Sequence, residues 1–250
     1  MAADLILKSN AIFASTGDDT FAGAVAVQGN KIVYVGPAEG AEAFKGPDTR
    51  VLDLGDKMVA PGFHDSHLHF FQSAMYRSPY VVFCEGRSEQ ECVNALEAVE
   101  NVRGKDDWMI CYGWYHSLWD DPHEPSKKSL DAKYPDRPVC MHSGDAHTLW
   151  VNSKGLEKLG ITKDSVPPKG GKYGKDENGE LTGIIYETAG LALTRKFMQF
   201  SPEEVRAAFV QFIRDLNAQG ITSVCDMSMM ALPGSDFIQD EAYAQLEKSG

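Results

Sequence analysis

The stretch Met58-Val59-Ala60-Pro61-Gly62-Phe63-His64-Asp65-Ser66-His67-Leu68-His69 decides the fold. An apolar run, broken by Pro-Gly, leads into three histidines within six positions. An extended strand sends successive side chains to opposite faces, so His67 and His69 share one face. Two imidazoles so placed can grip a single cation. Asp65 has the same parity and is expected to orient one imidazole from behind. His64 has the opposite parity and reads as a packing residue.

Upstream of this stretch the pattern is all-β. Apolar runs at 5–7, 11–13, 24–27, 32–35 and 51–54 are punctuated by glycines. Gln28-Gly29-Asn30-Lys31 reads as a tight hairpin turn, because Gly and Asn tolerate unusual backbone angles. Residues 41–45 suit a short helical turn. Downstream, strand-like runs alternate with helical periodicity. Ser88 with Glu91, and Ser201-Pro202 with Glu204, mark helix starts. Residues 108–112 and 138–142 read as strands, and 183–187, which ends at Glu187, as a strand or the entry to a helix. Residues 221–225 read as a buried strand of the parallel type. Residues 167–180 suit a surface hairpin, and 114–137 a long irregular loop of the kind that tends to carry function. Residues 240–250 read as a helix that stops at Gly250 where another strand is due, so the chain is expected to be part of a longer one. The division is residues 1–57, a small β domain, and 58–250, an α/β domain.

The chain has 250 residues, 43% of them hydrophobic, and a formal net charge of -12. Such a surface repels nucleic acid and anionic membranes. No apolar run is long enough to span a bilayer, and the start lacks the basic and apolar segments of a secretion signal. Five cysteines without paired spacing point to free thiols in a reducing, cytoplasmic setting, with Cys111, Cys140 and Cys225 in the core. A homo-oligomer is left open.

Four stretches resemble the amidohydrolase superfamily, and within it the amidohydrolase-3 branch of YtcJ-like hydrolases and N-substituted formamide deformylases. They are residues 30–36, residues 60–69, the run from Asp136-Arg137-Pro138-Val139 through His147 to Asn152-Ser153, and residues 220–224. The resemblance implies a (β/α)₈ TIM-type barrel, here its N-terminal portion, with a small β-sandwich domain formed partly by the N-terminus. It implies one or two divalent metal ions, zinc first, and hydrolysis of amide-like C–N bonds of a small molecule by a metal-activated water. His67 and His69 are the implied first-strand ligands. Later strands of the family supply two more histidines and an aspartate, and His147 is the last histidine here. Glu187 is the expected bridging or third ligand, in place of a carboxylated lysine, or else a carboxylate at a helix N-terminus. His147 is expected to act on the substrate as a catalytic group. Trp114 and Asn152 are expected to contact the substrate, Trp114 with Tyr115 and Trp119 walling an apolar pocket or packing under the loop. Two alternatives stay open: a catalytically silent member used for binding or assembly, and a deaminase of ring C–N bonds. For the 250 residues alone, no useful activity is expected.

Overall fold

The structure, a computed structural model, describes residues 2–227 and 240–249. The N-terminal strands are β1 (Leu5–Ile12), β2 (Phe21–Gln28), β3 (Lys31–Gly36) and β4 (Arg50–Asp53), with helix α1 (Ala38–Ala41) and a 3₁₀ turn, Glu42–Phe44, between the last two. They form one sheet in the order β3-β2-β1-β4. The runs at 5–7 and 11–13 belong to a single strand whose register shifts between Ser9 and Ile12. The shift turns the Ser9 hydroxyl to the Lys57 carbonyl, 2.6 Å away. The hairpin forms at the expected place, with Gly29 at φ +57° in the first central position, as a II′-type turn requires. Ile6, Ala24, Ala26 and Ala41 are buried on one side. Among the described residues the N-terminal part of the expected sandwich is a single four-stranded sheet.

The remaining elements, in chain order, are β5 (Phe63–Leu68), α2 (Phe70–Tyr76), β6 (Val81–Phe83), α3 (Glu89–Ala95), β7 (Met109–Trp114), α4 (Lys127–Lys133), β8 (Val139–Ser143), β9 (Thr148–Val151), α5 (Ser153–Leu159), β10 (Gly171–Lys175), β11 (Leu181–Glu187), α6 (Thr188–Leu191), α7 (Thr194–Phe197), α8 (Pro202–Ala218), β12 (Ile221–Asp226) and α9 (Asp240–Ser249). The expected stop at Gly250 lies outside the described residues. By internal contacts one compact unit takes Met1–His64 with Gly220–Ser223, and the other takes Asp65–Gln219 with Val224–Gly250.

The α/β class holds, but the strands do not follow one another around a cylinder. Six of them make a mixed sheet in the order β10-β11-β9-β8-β7-β6. Its β6–β7 and β7–β8 pairs are parallel, while β8–β9, β9–β11 and β10–β11 are antiparallel. The β10–β11 pair is the hairpin expected around residues 167–180. Strand β5, which carries the histidines, pairs with β12 instead of β6. Among the described residues no closed barrel forms. Strand β12 is correspondingly not buried, and Cys225 is exposed, contrary to its expected place in the core. Among the described residues its sheet has two strands.

The mixed sheet is apolar on both sides, which explains the unbroken burial of β8. Alternation sorts its residues. Ile110, Cys140, Leu149 and Val151 join a cluster with Phe70, Phe197 and Phe209. Met109, Met141 and Trp150 join another with Leu96, Trp114 and Leu130. Helix α8 starts at a capping box, Ser201 with Glu204, and Pro202 occupies its first turn. Its Phe209 meets Phe70 edge-on at 4.9 Å between ring centres. Burying a ring of this size contributes about 1.5–3 kcal/mol. The loop over 114–137 is less irregular than its composition suggests. It contains a 3₁₀ turn, His116–Leu118, and α4, whose N-cap Ser126 accepts from the Lys128 N–H.

Candidate active site

Strand β5 delivers His67 near its end and His69 just past it. Both are exposed. Their ring centres stand 5.5 Å apart with planes inclined by 74°. One tetrahedral ion with bonds of about 2.0–2.1 Å to each ring can span such a separation. Both rings are exposed to solvent. Two donors are half of a tetrahedral shell, and among the described residues no three of His, Cys, Asp and Glu come together as a ready cage. The pair therefore fits a divalent ion as two of its ligands. Glu187 is not gathered with them into such a group.

Asp65 acts differently from expectation. Its Oδ1 accepts the main-chain N–H of His67 at 3.0 Å, so it braces the strand and not an imidazole. The strand beyond His69 is held by a residue the sequence did not single out. Asp226, at the end of β12, accepts the Phe70 N–H at 3.0 Å and the Tyr243 hydroxyl at 2.7 Å. The Leu68 carbonyl accepts from the Met227 N–H at 2.7 Å alongside. Only its position at a strand end signalled Asp226.

His147 and Glu187 do meet. The loop from β8 to β9 turns through Ala146, which adopts φ +61°. Asp145 stabilises the turn by accepting from the Ser143 hydroxyl at 2.5 Å and the His147 N–H at 3.0 Å. Burial pushes the Asp145 carboxyl up, but these bonds outweigh it and leave it below the usual carboxylate range. Pairing of β9 with β11 then brings the end of β11 alongside, where the Glu187 N–H donates to the His147 carbonyl at 2.7 Å. The side chains close the pair, His147 Nδ1 to Glu187 Oε2 at 2.9 Å. The hydrogen bond and charge of Glu187 raise the His147 imidazole above its ordinary value. Glu187 holds φ +54° and ψ −131°, a conformation that favours glycine. Such strain costs on the order of 1–3 kcal/mol and concentrates at functional positions.

Two expected substrate contacts are interior. Asn152 is fully buried. Its Oδ1 accepts from Val139 N–H and Gly155 N–H, and its Nδ2 donates to the Tyr134 and Arg137 carbonyls, at 2.8–3.0 Å. All four of its hydrogen-bonding positions are spent on the backbone, so Asn152 caps α5 and ties it to the sheet. Trp114 is 2% exposed and donates its indole N–H to the Met141 carbonyl at 3.0 Å. One edge of it lines a cavity of about 130 Å³ with Tyr115, Asp145, Thr148 and Tyr186. Trp119 is buried, while Tyr115 is exposed. His64 bonds Ser223 at 2.7 Å, in keeping with a packing role.

A strand-end histidine pair and a histidine–carboxylate dyad thus stand on this α/β frame. The chain belongs to the amidohydrolase family, whose profile matches residues 50–247. It is 30% identical over 181 residues to the putative amidohydrolase YtcJ of Bacillus subtilis (strain 168), covering 72% of this chain and 34% of that protein. It is 28% identical over 190 residues to the N-substituted formamide deformylase of Arthrobacter pascens, covering 74% of this chain and 34% of that protein. Among solved structures it resembles an uncharacterized metal-dependent hydrolase from Pyrococcus horikoshii, with a TM-score of 0.70, 25% identity, and coverage of 98% of this chain and 46% of that one. The chain thus spans about a third of the curated relatives and under half of the solved one.

Proposed function

We propose that this chain is the N-terminal part of a metal-dependent hydrolase that cleaves amide-like C–N bonds outside peptides. The observation that carries the reading is the His67–His69 pair, with rings 5.5 Å apart and exposed at the end of one strand. The Arthrobacter relative, a deformylase of N-substituted formamides by name, supports the choice of bond. The metal-dependent hydrolase from Pyrococcus horikoshii supports a divalent cation, and the nitrogen donors suit zinc.

In this reading His67 and His69 bind the cation, and donors from the rest of the full-length protein complete its shell. A bound divalent cation supplies a water of lowered pKa and polarises the scissile carbonyl. Asp65 and Asp226 hold the backbone on either side of the two ligands. His147 carries a proton at its imidazole, steadied by Glu187 at Nδ1, and offers it to the departing amine. Tyr115 walls the substrate side, with the buried Trp114 behind it at the same cavity. Residues 1–57 serve as the small β domain and 58–250 as part of the catalytic one. No described helix is long and apolar enough to cross a membrane, and the substrate is a small molecule.

The test is metal analysis of the full-length protein and of its His67→Ala and His69→Ala variants, followed by a screen of N-formyl and N-acyl amines with aminated heterocycles as a separate arm. Bound divalent metal lost in both variants, with release of amine from the acyclic amides, supports the reading. A full-length protein that binds no metal and does not respond to zinc points to a silent binding protein. Ammonia released from the heterocycles alone points to a deaminase.

A further inference from the structure

The segments that lead into β7 and β8 line a cavity of about 390 Å³. Glu100, Arg103 and Lys105 contribute from the first segment, and Tyr134, Asp136 and Arg137 from the second. Strand β8 then runs five residues to the turn that carries His147. At about 3.3 Å of rise per residue the cavity stands about 16 Å from that turn, at the opposite end of the strands. The proposed hydrolytic site uses none of these six residues.

Tyr134 is 6% exposed, and its hydroxyl is buried without a hydrogen-bond partner. Arg137 Nε is buried and unpartnered as well. Both side chains belong to the wall of this one cavity. A buried donor left unmatched is costly, and folded proteins keep few of them. Neither group is loosely held. Asn152 Nδ2 donates to the Tyr134 and Arg137 carbonyls, each at 2.8 Å, and so fixes the main chain at both. The Arg137 guanidinium is braced by three further carbonyls. Its Nη1 donates to that of Glu100, and its Nη2 to those of Arg103 and Gly104, each at 3.2 Å. The Nε–H takes no part in this brace. Burial, then Glu100 and Glu97, push the Tyr134 hydroxyl up to about 12, so it keeps its proton and stays a donor.

The surrounding charges decide what can fill the cavity. Arg103 is spent on Glu204 at 2.9 Å, and Lys133 on Glu97. The Arg137 charge meets main-chain carbonyls, and among the described residues Lys105 has no ion pair. Against these two cations stand the exposed Glu100 and Asp136, whose carboxylates also have no ion pair among the described residues. Two unmatched donors call for acceptor oxygens on a ligand. A phosphate dianion brings them with more negative charge than this balance can hold. A carboxylate brings two acceptor oxygens and a single charge.

We propose that this cavity binds a small monocarboxylate, whose oxygens accept from the Tyr134 hydroxyl and the Arg137 Nε–H, with Lys105 beside its charge. The site is separate from the histidine pair and does not rest on the hydrolytic reading.

The test is calorimetric titration of the full-length protein with sodium propionate, and with sodium phosphate at matched pH and ionic strength. Propionate is expected to bind, and phosphate to bind more weakly or not at all. Tyr134→Phe removes only the unmatched hydroxyl. It is expected to be at least as stable as the unsubstituted protein and to lose about tenfold or more in propionate affinity. Lys105→Gln, at an exposed position, is expected to lose a smaller factor, about threefold. In the unsubstituted protein the NMR signal of the Arg137 Nε–H is expected to shift as propionate is added, which decides even if a variant does not fold. Absence of propionate binding, tighter binding of phosphate, or an affinity unchanged in Tyr134→Phe overturns the proposal. So does binding that His67→Ala abolishes, which assigns the propionate to the metal.

Discussion

Asp226 takes the Phe70 N–H at 3.0 Å, and with it fixes the main chain immediately after His69. Its other oxygen takes the Tyr243 hydroxyl at 2.7 Å, which ties the same point to α9. Asp226→Ala is expected to destabilise the protein by about 1–2 kcal/mol in urea titration, through the unpaired N–H and the lost bond to α9. In the full-length protein it is expected to weaken zinc binding by about tenfold or more, as loss of a supporting partner does. Tyr243→Phe, which removes one bond and leaves the Phe70 contact, is expected to show the smaller loss in both assays.

Glu187 combines a left-handed φ with the His147 contact. Comparing Glu187→Ala with Glu187→Gly separates the two features. Both variants remove the carboxylate, and both are expected to abolish turnover by the full-length enzyme. The glycine variant is expected to be the more stable by about 1 kcal/mol, because glycine adopts φ +54° without a Cβ penalty. Equal stability of the two, by chemical denaturation, contradicts strain at this position.

Asn152 spends its amide on four backbone groups. Asn152→Ala is expected to cost about 2–4 kcal/mol, because buried donors and acceptors are left unmatched. If the residue instead serves the substrate, stability will be unaltered and KM will rise.

His142 is buried, with Nδ1 2.6 Å from the Tyr76 hydroxyl, and burial lowers its pKa to about 4. Its folded value lies below the unfolded one, so its contribution is complete above about pH 6.5 and is lost as the pH falls toward 4. The loss across that window is on the order of 3 kcal/mol. Denaturation midpoints measured from pH 7 to 4 check this, with His142→Gln expected to flatten the slope.

His123 gives the opposite sign at an exposed position. Its Nε2 lies 2.9 Å from Glu89, and that hydrogen bond, then the Asp121 carbonyl, raises its pKa. The contact is present at low pH and fades as the pH rises through the raised value. An NMR titration is expected to place the His123 midpoint above the ordinary 6.5, and Glu89→Gln to bring it down.

Local chemistry was legible in the chain wherever one short pattern settles the structure. Ser201, Pro202 and Glu204 announce α8, and Gly29 announces its hairpin. The paired orientation of His67 and His69 follows from strand parity. Pairing order was less legible. Residues 109–114 and 139–143 are buried almost throughout, and such runs look alike whether the neighbouring strand is parallel or antiparallel. The barrel was expected here only in its N-terminal portion, and the described residues form a mixed sheet. Asn152 was misjudged because side-chain bonds to distant backbone leave no mark on nearby residues. Asp226 was passed over for the same reason, since its partners lie in α2 and α9.

Strand β5 finds its partner only in β12, at the far end of the described sequence. During synthesis the histidine-bearing segment therefore emerges well before its partner and waits for it before it can be docked. Contacts of that span are slow to close. A chain halted before residue 220 would carry both imidazoles on an unanchored ribbon, so assembly of the ligand pair should lag behind the central sheet and be the first feature lost when translation is cut short.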